Sequence, residues 1–198
     1  MQTDLLALLP GRRGHFRMES GYHSELWFNL EQLFEDCARL QPFVDELSGR
    51  LATHRIDVVV GPMTGGAKLA EMIGAKLGTV SFHTERYEIP GATGLFPVRY
   101  LVPVALRERL RGQIVAIVDD AISAGSAIKG TYADLLACGA KPVACGALIV
   151  LGDAADKFAL ENNLKLETIS RMTFGLWKPA ECPLCKAGVG VERVSDTV

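Results

Sequence analysis

The sequence predicts an α/β fold: a doubly wound, mainly parallel sheet with helices on both faces. Two observations lead to this prediction. Short β-branched runs alternate with segments of helical periodicity, first over residues 56–83 and again over residues 114–151. In both regions a loop of small residues joins the strand to the helix, as in the βα turns of parallel sheets.

Length and composition limit the possible classes of protein. We treat residues 1–198 as a single domain, because this length suits one hydrophobic core. The formal net charge is −2 without clustered Lys and Arg, which argues against binding to nucleic acid or to a membrane surface. No apolar run approaches the roughly 20 residues of a membrane span. Five cysteines, an odd number, favour a reduced cytoplasmic protein over a disulfide scaffold.

The N-terminal part of the chain is mixed in character. A short helix is predicted over residues 3–9, and Pro10 and Gly11 end it. The stretch GHFRMESGYHSELWFNL follows; it is rich in turn residues, and we expect extended pieces around residues 26–30. A second helix is predicted near residues 42–54.

The first βαβ unit has a strand at residues 56–60, a loop at 61–66 and a strand at 79–83. The helix between them has one apolar face, formed by Leu69, Met72, Ile73 and Leu77.

The second unit has a strand at residues 114–118, a loop at 119–125, a helix at 126–138 and a strand at 143–151. The helix residues expected to face inward are Ile128, Tyr132, Leu135 and Leu136. Both loops follow the carboxyl ends of strands, where parallel sheets bind their ligands.

The stretch IVAIVDDAISAGSAIKG includes the second loop and the residues in it that could bind a ligand. Asp119 and Asp120 are costly neighbours, because each carboxylate raises the pKa of the other. Together they offer acceptors for two vicinal hydroxyls. Residues 123–127 suit one phosphate at a helix N-terminus, and the loop at 61–66 suits another. The ligand is then a ribose with a phosphate at one end and a pyrophosphate at the other; the alternatives are a capped, solvated acidic turn and an ordinary βα turn.

VDDAISAGSA closely resembles the signature of type I phosphoribosyltransferases, which bind 5-phosphoribosyl-1-pyrophosphate (PRPP). GHFRMESGYHSELWFNL resembles the corresponding stretch of the orotate phosphoribosyltransferases. The resemblance spans roughly residues 14–152. It implies a small hood from the N-terminal and C-terminal segments, with residues 1–40 over the base, and a homodimer.

The resemblance also implies a reaction in which a base nitrogen displaces pyrophosphate from C1 of the ribose, with Mg²⁺ bound mainly by PRPP. Asp119 and Asp120 are expected to hold the ribose hydroxyls and to act in catalysis. The residues expected to bind PRPP are Met63, Thr64, Gly65, Asp119, Asp120, Ala121, Ser123, Ala124, Gly125, Ser126 and Ala127.

The segment TERYEIPGATGLFPVRY, residues 84–100, suggests either a mobile lid or a plain surface hairpin. In the resembling family a lid supplies a catalytic lysine, but here no lysine stands between Lys76 and Lys129. Arg86 and Arg99 are the cations of the segment and the candidates for neutralising pyrophosphate. Because this lysine is missing, the alternative function is that of a regulatory protein that binds PRPP or a nucleotide without turnover.

Two departures concern the base. Glu19 stands before Ser20, where the orotate enzymes carry a lysine, and Asp153 and Asp156 occur where those enzymes carry an arginine. Lys157 is the nearest cation there. Orotate is the default base, with a neutral or cationic base as the alternative. Besides Glu19, the candidates for contact with the base are Trp27 and Phe28, which either stack on it or pack in the core.

The tail, residues 175–198, contains ECPLCKAG. Cys182 and Cys185 supply half of a structural zinc site, which a histidine or a second subunit would complete; the alternative is a tight turn with two free thiols. For His15 and His23 we expect surface positions. A weaker alternative is an interaction protein built around this tail.

Overall fold

The computed structural model describes residues 2–92 and 94–194, so the last four residues of the tail lie outside the described part. It contains two sheets. The strands are β1 (Gly11–Arg17), β2 (His23–Phe28), β3 (Val58–Pro62), β4 (Val80–Glu88), β5 (Val98–Leu101), β6 (Ile114–Ile122), β7 (Lys141–Leu151), β8 (Lys165–Met172), β9 (Leu176–Trp177) and β10 (Glu192–Arg193). The α-helices are α1 (Gln2–Ala7), α2 (Cys37–Leu51), α3 (Gly65–Leu77), α4 (Val104–Leu110), α5 (Ser126–Ala137), α6 (Ala154–Glu161) and α7 (Pro183–Lys186). Short 3₁₀ helices cover Leu30–Phe34, Ala52–His54 and Pro179–Glu181.

The main sheet has six strands in the order β5-β4-β3-β6-β7-β8. Its strands pair in parallel except β5, which lies antiparallel to β4 at one edge. The chain leaves β3 for β4 on one side and later returns through β6 on the other. The strand order therefore reverses between β3 and β6, the position where doubly wound sheets hold their ligands.

The central strands β3, β6 and β7 face two cores, because side chains alternate along them. Val59 of β3 belongs to one hydrophobic cluster, which also contains the buried residues of α2 and α3. Val58 and Val60 belong to a second cluster, with buried residues of α5 and α6. Helices thus cover both faces, and the predicted fold class is confirmed.

The second sheet is formed by both ends of the chain. Its order is β10-β1-β2-β9, with β1 and β2 antiparallel. The extended stretch predicted at residues 26–30 lies earlier, at residues 23–28, and Leu30 begins a 3₁₀ helix instead. The strand β1 was not predicted from the turn-rich sequence. We refer to this sheet as the hood, and its place over the base stays a prediction.

The helix predicted at residues 42–54 begins earlier, at Cys37. Asp36 explains this start, because its side chain accepts a hydrogen bond from the backbone N–H of Arg39 and caps the helix. Pro42 lies inside this helix, at its sixth residue, and because proline has no N–H the carbonyl of Ala38 lacks the usual hydrogen bond from residue 42.

Two details of the second βαβ unit are corrected. The strand β6 continues through Asp119 and Asp120 to Ile122, because its ladder with β7 extends as far as Ile122 and Val150. Leu136, predicted to face inward, is 48% exposed, whereas Ile128 and Leu135 are buried. Gly139, with φ of +78°, follows the end of α5.

None of the helices in the described residues is long and apolar enough to cross a bilayer.

Candidate active site

Two βα connections meet at the switch point of the main sheet. Met63 and Thr64, joined by a cis peptide bond, lead from β3 into α3. Residues 123–125 lead from β6 into α5. Because β3 and β6 are hydrogen-bonded neighbours, the two connections lie side by side at the carboxyl edge.

Glycines allow the two connections to touch. A Cβ on Gly65 would lie 1.9 Å from Oδ2 of Asp120, and one on Gly66 would lie 2.8 Å from Oδ1 of Asp119. A Cβ on Gly61 would lie 1.9 Å from the carbonyl oxygen of Gly66. The first turn of α3 therefore packs against both carboxylates, at a distance that no larger residue permits.

The two carboxylates are nearly enclosed: Asp119 is 8% exposed and Asp120 is 9% exposed. The backbone N–H of Asp120 donates to Oδ1 of Asp119 at 3.1 Å, and that of Ala121 donates to Oδ1 of Asp120 at 2.7 Å. Burial, followed by the charge of Asp120, raises the pKa of Asp119 well above the usual range of a carboxyl. A ligand with hydroxyl donors, or a cation, would stabilise the charged form.

The connection after β6 offers polar groups at the start of a helix. Gly125, with φ of +78°, precedes α5, whose first backbone N–H groups have no partner within the helix. The buried Oγ of Ser123 finds no hydrogen-bond partner among the residues that the structure describes. Lys129, one turn into α5, donates from Nζ to the carbonyl oxygen of Ala124 at 3.0 Å. A hydroxyl, helix N–H groups and an ammonium together suit a phosphate.

Glu19 reaches the same region from the hood. It lies in a turn closed by a hydrogen bond of 2.8 Å from the N–H of Met18 to the carbonyl of Tyr22. Its carboxylate accepts from the hydroxyl of Tyr100 at 2.6 Å and from Nε of Arg86 at 2.7 Å. Burial and then the charge of Glu19 raise the pKa of Tyr100 far above its usual range, so this hydroxyl stays a donor.

The segment 84–100 forms a hairpin of β4 and β5, and it separates its two arginines. Arg86 pairs with Tyr100, and Tyr87 pairs with Arg99. Because directly paired residues share a face, Arg86 lies on the same face as Tyr100 and Arg99 lies on the opposite one. The face of Tyr100 is the one covered by α5, since a Cβ on Gly130 would lie 3.3 Å from Cβ of Tyr100.

The tip of the hairpin packs onto the hood. The N–H of Phe96 donates to the carbonyl of Ser20 at 2.9 Å, and its ring lies 6.0 Å from that of Tyr22. Nζ of Lys129 lies 5.5 Å from the centre of the Phe96 ring. The hairpin thus bridges the Glu19 turn and the start of α5.

The aromatic candidates divide between two environments. Phe28 packs against the main hydrophobic cluster. Trp27 lies on the other face of β2, with the guanidinium of Arg12 5.4 Å from its ring centre. The acids proposed to weaken orotate binding are paired, Asp153 with Lys157 at 2.7 Å and Asp156 with Arg171 at 2.7 Å.

A cavity of about 400 Å³ adjoins the Glu19 turn. It is lined by Arg17, Met18, Glu19, Ala92, Arg193 and Val194. Two arginines and one carboxylate therefore face the same space.

His15 and His23 are not surface residues, contrary to expectation: they are 4% and 7% exposed. One ring nitrogen of each histidine and the sulfur atoms of Cys182 and Cys185 all lie within 4.8 Å of one another. From the sequence, only the two cysteines were predicted as part of a metal site. In the structure, the two ends of the chain pair, and this pairing brings the two histidines next to the cysteines.

Tyr100, Phe96 and Lys129 were missed as candidates. For Lys129 a signal existed, since it stands three residues after the start of a helix that follows the small-residue loop. For Tyr100 and Phe96 no local signal was present, because their contacts depend on where the hairpin folds.

Comparisons with known proteins identify the family and the fold of the chain. A sequence profile of the phosphoribosyl transferase domain matches residues 29–172. The orotate phosphoribosyltransferase of Heliobacterium modesticaldum is 30% identical over 183 residues, covering 88% of this chain and 85% of the relative. Two crystal structures share the fold. An orotate phosphoribosyltransferase from Aeropyrum pernix has a TM-score of 0.62 and 22% identity, and the match covers 82% of this chain and 88% of that one. An adenine phosphoribosyltransferase from Thermoanaerobacter pseudethanolicus has a TM-score of 0.68 and 14% identity, and the match covers 87% of this chain and 100% of that one.

Proposed function

The chain belongs to the phosphoribosyltransferase family and is a PRPP-dependent transferase; we propose that it joins the phosphoribosyl group to orotate and releases pyrophosphate. A base nitrogen forms a bond to C1 of the ribose while the bond from C1 to the pyrophosphate oxygen breaks. The observation that carries the assignment of the site is the pair of enclosed carboxylates, Asp119 and Asp120, facing the glycines of the neighbouring connection.

In this proposal Asp119 and Asp120 accept hydrogen bonds from the two ribose hydroxyls. Residues 123–127 hold the 5′-phosphate, with N–H groups of α5, the hydroxyl of Ser123 and the ammonium of Lys129 as donors. As positive charge develops on the ribose, the two carboxylates stabilise it. The raised pKa of Asp119 supports this role, because a group that is costly to ionise in the free protein gains most from a cationic partner.

Met63, Thr64 and Gly65 hold the pyrophosphate. When bound with PRPP, mainly through its oxygens, Mg²⁺ would supply charge neutralisation at this leaving group. The enclosed carboxylates fit such a site, because oxygen ligands suit this cation. Arg86 is the second cation proposed to neutralise the pyrophosphate, because it lies on the face of the hairpin that α5 covers. Arg99 lies on the opposite face.

The base lies beneath the hood, near Glu19. Arg17 and Arg193, which line the adjoining cavity, favour an anionic base such as orotate. Glu19 favours the second candidate, a transferase for a neutral or cationic base, because a partly buried carboxylate repels the orotate carboxylate. Its pairing with Arg86 offsets part of this repulsion, so orotate remains the proposed substrate.

A panel of bases tests both candidates. The purified protein receives PRPP, Mg²⁺ and, in separate reactions, orotate, uracil, adenine, hypoxanthine or nicotinate. Pyrophosphate release and the nucleotide product are then measured. Orotidine monophosphate as the main product supports the first proposal, and turnover of an uncharged base alone supports the second. No turnover of any base, together with no PRPP binding by calorimetry, would refute both.

Assembly and location are proposals of the same kind. The resemblance to the orotate enzymes favours a homodimer, which analytical ultracentrifugation tests directly. The odd number of cysteines favours the cytoplasm.

A further inference from the structure

Four metal-binding side chains other than the two carboxylates of the active site converge where the strands of the hood meet the C-terminal segment. Nε2 of His15 lies 3.0 Å from Nδ1 of His23 and 3.4 Å from Sγ of Cys182. Sγ of Cys185 lies 3.2 Å from Nδ1 of His23 and 3.7 Å from Nε2 of His15. Each residue thus directs one ligand atom at a common centre.

We propose that His15, His23, Cys182 and Cys185 bind one structural Zn²⁺. A tetrahedral zinc ion has Zn–N distances of about 2.05 Å and Zn–S distances of about 2.3 Å, which place two nitrogens about 3.4 Å apart and a nitrogen and a sulfur about 3.6 Å apart. The four separations given above lie within about 0.5 Å of these values, and all the ligand atoms lie within 4.8 Å of one another. Two imidazoles and two thiolates are a standard structural zinc set.

The orientation of His15 is already the one that a metal ligand needs. Its Nδ1 lies 2.8 Å from the carbonyl oxygen of Val189. A carbonyl only accepts, so Nδ1 carries the proton, and in the neutral ring Nε2 presents its lone pair to the cluster. Metal-bound histidines commonly donate their second nitrogen in this manner.

Charge and burial agree with a divalent cation. Three of the four ligands are buried, and Cys185 is the exposed one. Two thiolates without a cation would be costly there, whereas Zn²⁺ with two thiolates and two neutral imidazoles has no net charge. Hard cations such as Mg²⁺ and Ca²⁺ prefer oxygen ligands, which this set does not offer.

The site joins distant parts of the chain, since His15 and Cys182 are 167 residues apart in sequence. His15 lies on β1 and His23 on β2, while both cysteines lie in the C-terminal segment between β9 and β10. Glu19 lies in the turn between β1 and β2, and therefore between the two histidines. The metal consequently fixes the turn that presents Glu19 to the base. This last step rests on the proposed function, but the metal site does not.

Metal analysis of the full-length protein tests the site without any assay of turnover. The protein is prepared without a metal-affinity tag and dialysed, and its zinc is measured by inductively coupled plasma mass spectrometry. We expect about one zinc per chain in the wild type and in Cys37→Ser, a control at an exposed cysteine outside the cluster. The double variant Cys182→Ser, Cys185→Ser should retain less than about a tenth of it.

Cobalt substitution keeps the test decisive if the double variant does not fold. Chelator-treated wild-type protein titrated with Co²⁺ should show the visible bands of a tetrahedral site and thiolate-to-cobalt charge transfer, saturating at about one equivalent. Wild-type protein without zinc and without these bands would overturn the proposal, as would a Cys182–Cys185 disulfide in freshly purified protein. In the active enzyme, removal of zinc should raise KM for the base while KM for PRPP stays within about twofold.

Discussion

Substitution of Gly65 by alanine tests the geometry of the proposed ribose site. The new Cβ would lie 1.9 Å from Oδ2 and 2.5 Å from Cγ of Asp120, closer than any such contact allows. Because a carboxylate is the movable end of a side chain, Asp120 should turn away while the backbone stays. The variant should therefore fold normally and lose PRPP affinity.

The size of the loss follows from the hydrogen bond that Asp120 is proposed to make. A hydrogen bond to a charged group contributes about 1.5–3 kcal/mol. Since about 1.4 kcal/mol corresponds to a tenfold change, Kd for PRPP should rise about 10- to 150-fold. Isothermal titration calorimetry with Mg²⁺ present measures this directly, and urea unfolding should show a loss of about 1–3 kcal/mol, the usual cost of an added methyl group in a packed region.

Gly49→Ala is the matched control. Gly49 is an exposed residue of α2, and a Cβ there would meet nothing within 4 Å. This variant should gain about 0.5–1 kcal/mol of stability through helix propensity and bind PRPP as the wild type does. If Gly65→Ala is well folded and its Kd for PRPP is unchanged, Asp120 does not hold the ribose and the reasoning is wrong.

Three further predictions concern charges at the site. Asp119→Asn should abolish detectable PRPP binding yet raise the free energy of unfolding at neutral pH. Because the folded pKa of Asp119 is raised, wild-type stability falls as the pH rises through that pKa, so in urea titrations the advantage of the variant should vanish below about pH 4. Arg86→Gln should lower kcat about 10- to 100-fold, whereas Arg99→Gln, on the opposite face of the hairpin, should stay within about twofold in the same pyrophosphate-release assay. Glu19→Gln should lower KM for orotate about fivefold, the equivalent of about 1 kcal/mol of removed repulsion, and leave KM for uracil unchanged; an unchanged orotate KM would place the base away from Glu19.

The sequence predicted those parts of the fold in which the local preference for helix or strand agrees with the packing in the folded protein. The strand that contains Val59 and the helix α3 were predictable, since β-branched runs and a helical apolar face point to the same elements as the packing. The end of β6 was not. Aspartate disfavours strands, so the pattern appeared to stop at residue 118, but pairing of β6 with β7 carries the ladder to Ile122.

The hood and its metal-binding cluster illustrate the opposite case. The pair Cys182 and Cys185 was visible as a short motif, whereas His15 and His23 were two scattered histidines. Their convergence depends on pairings of β1 with β10 and of β2 with β9, which join opposite ends of the chain. No local pattern encodes such a pairing, because each partner strand has only two residues.

The paired acids explain why this edge of the sheet has its particular composition. Asp119 and Asp120 are enclosed with like charges side by side, and the hydroxyl of Ser123 has no hydrogen-bond partner among the described residues. Each feature costs stability in the free protein, and each is relieved by a ligand that brings hydroxyl donors and a phosphate. The surrounding glycines serve the same end, since any side chain at Gly65 or Gly66 would occupy the space against the carboxylates. A sequence selected for stability alone would replace these residues, so their concentration at the switch point is best explained by ligand binding.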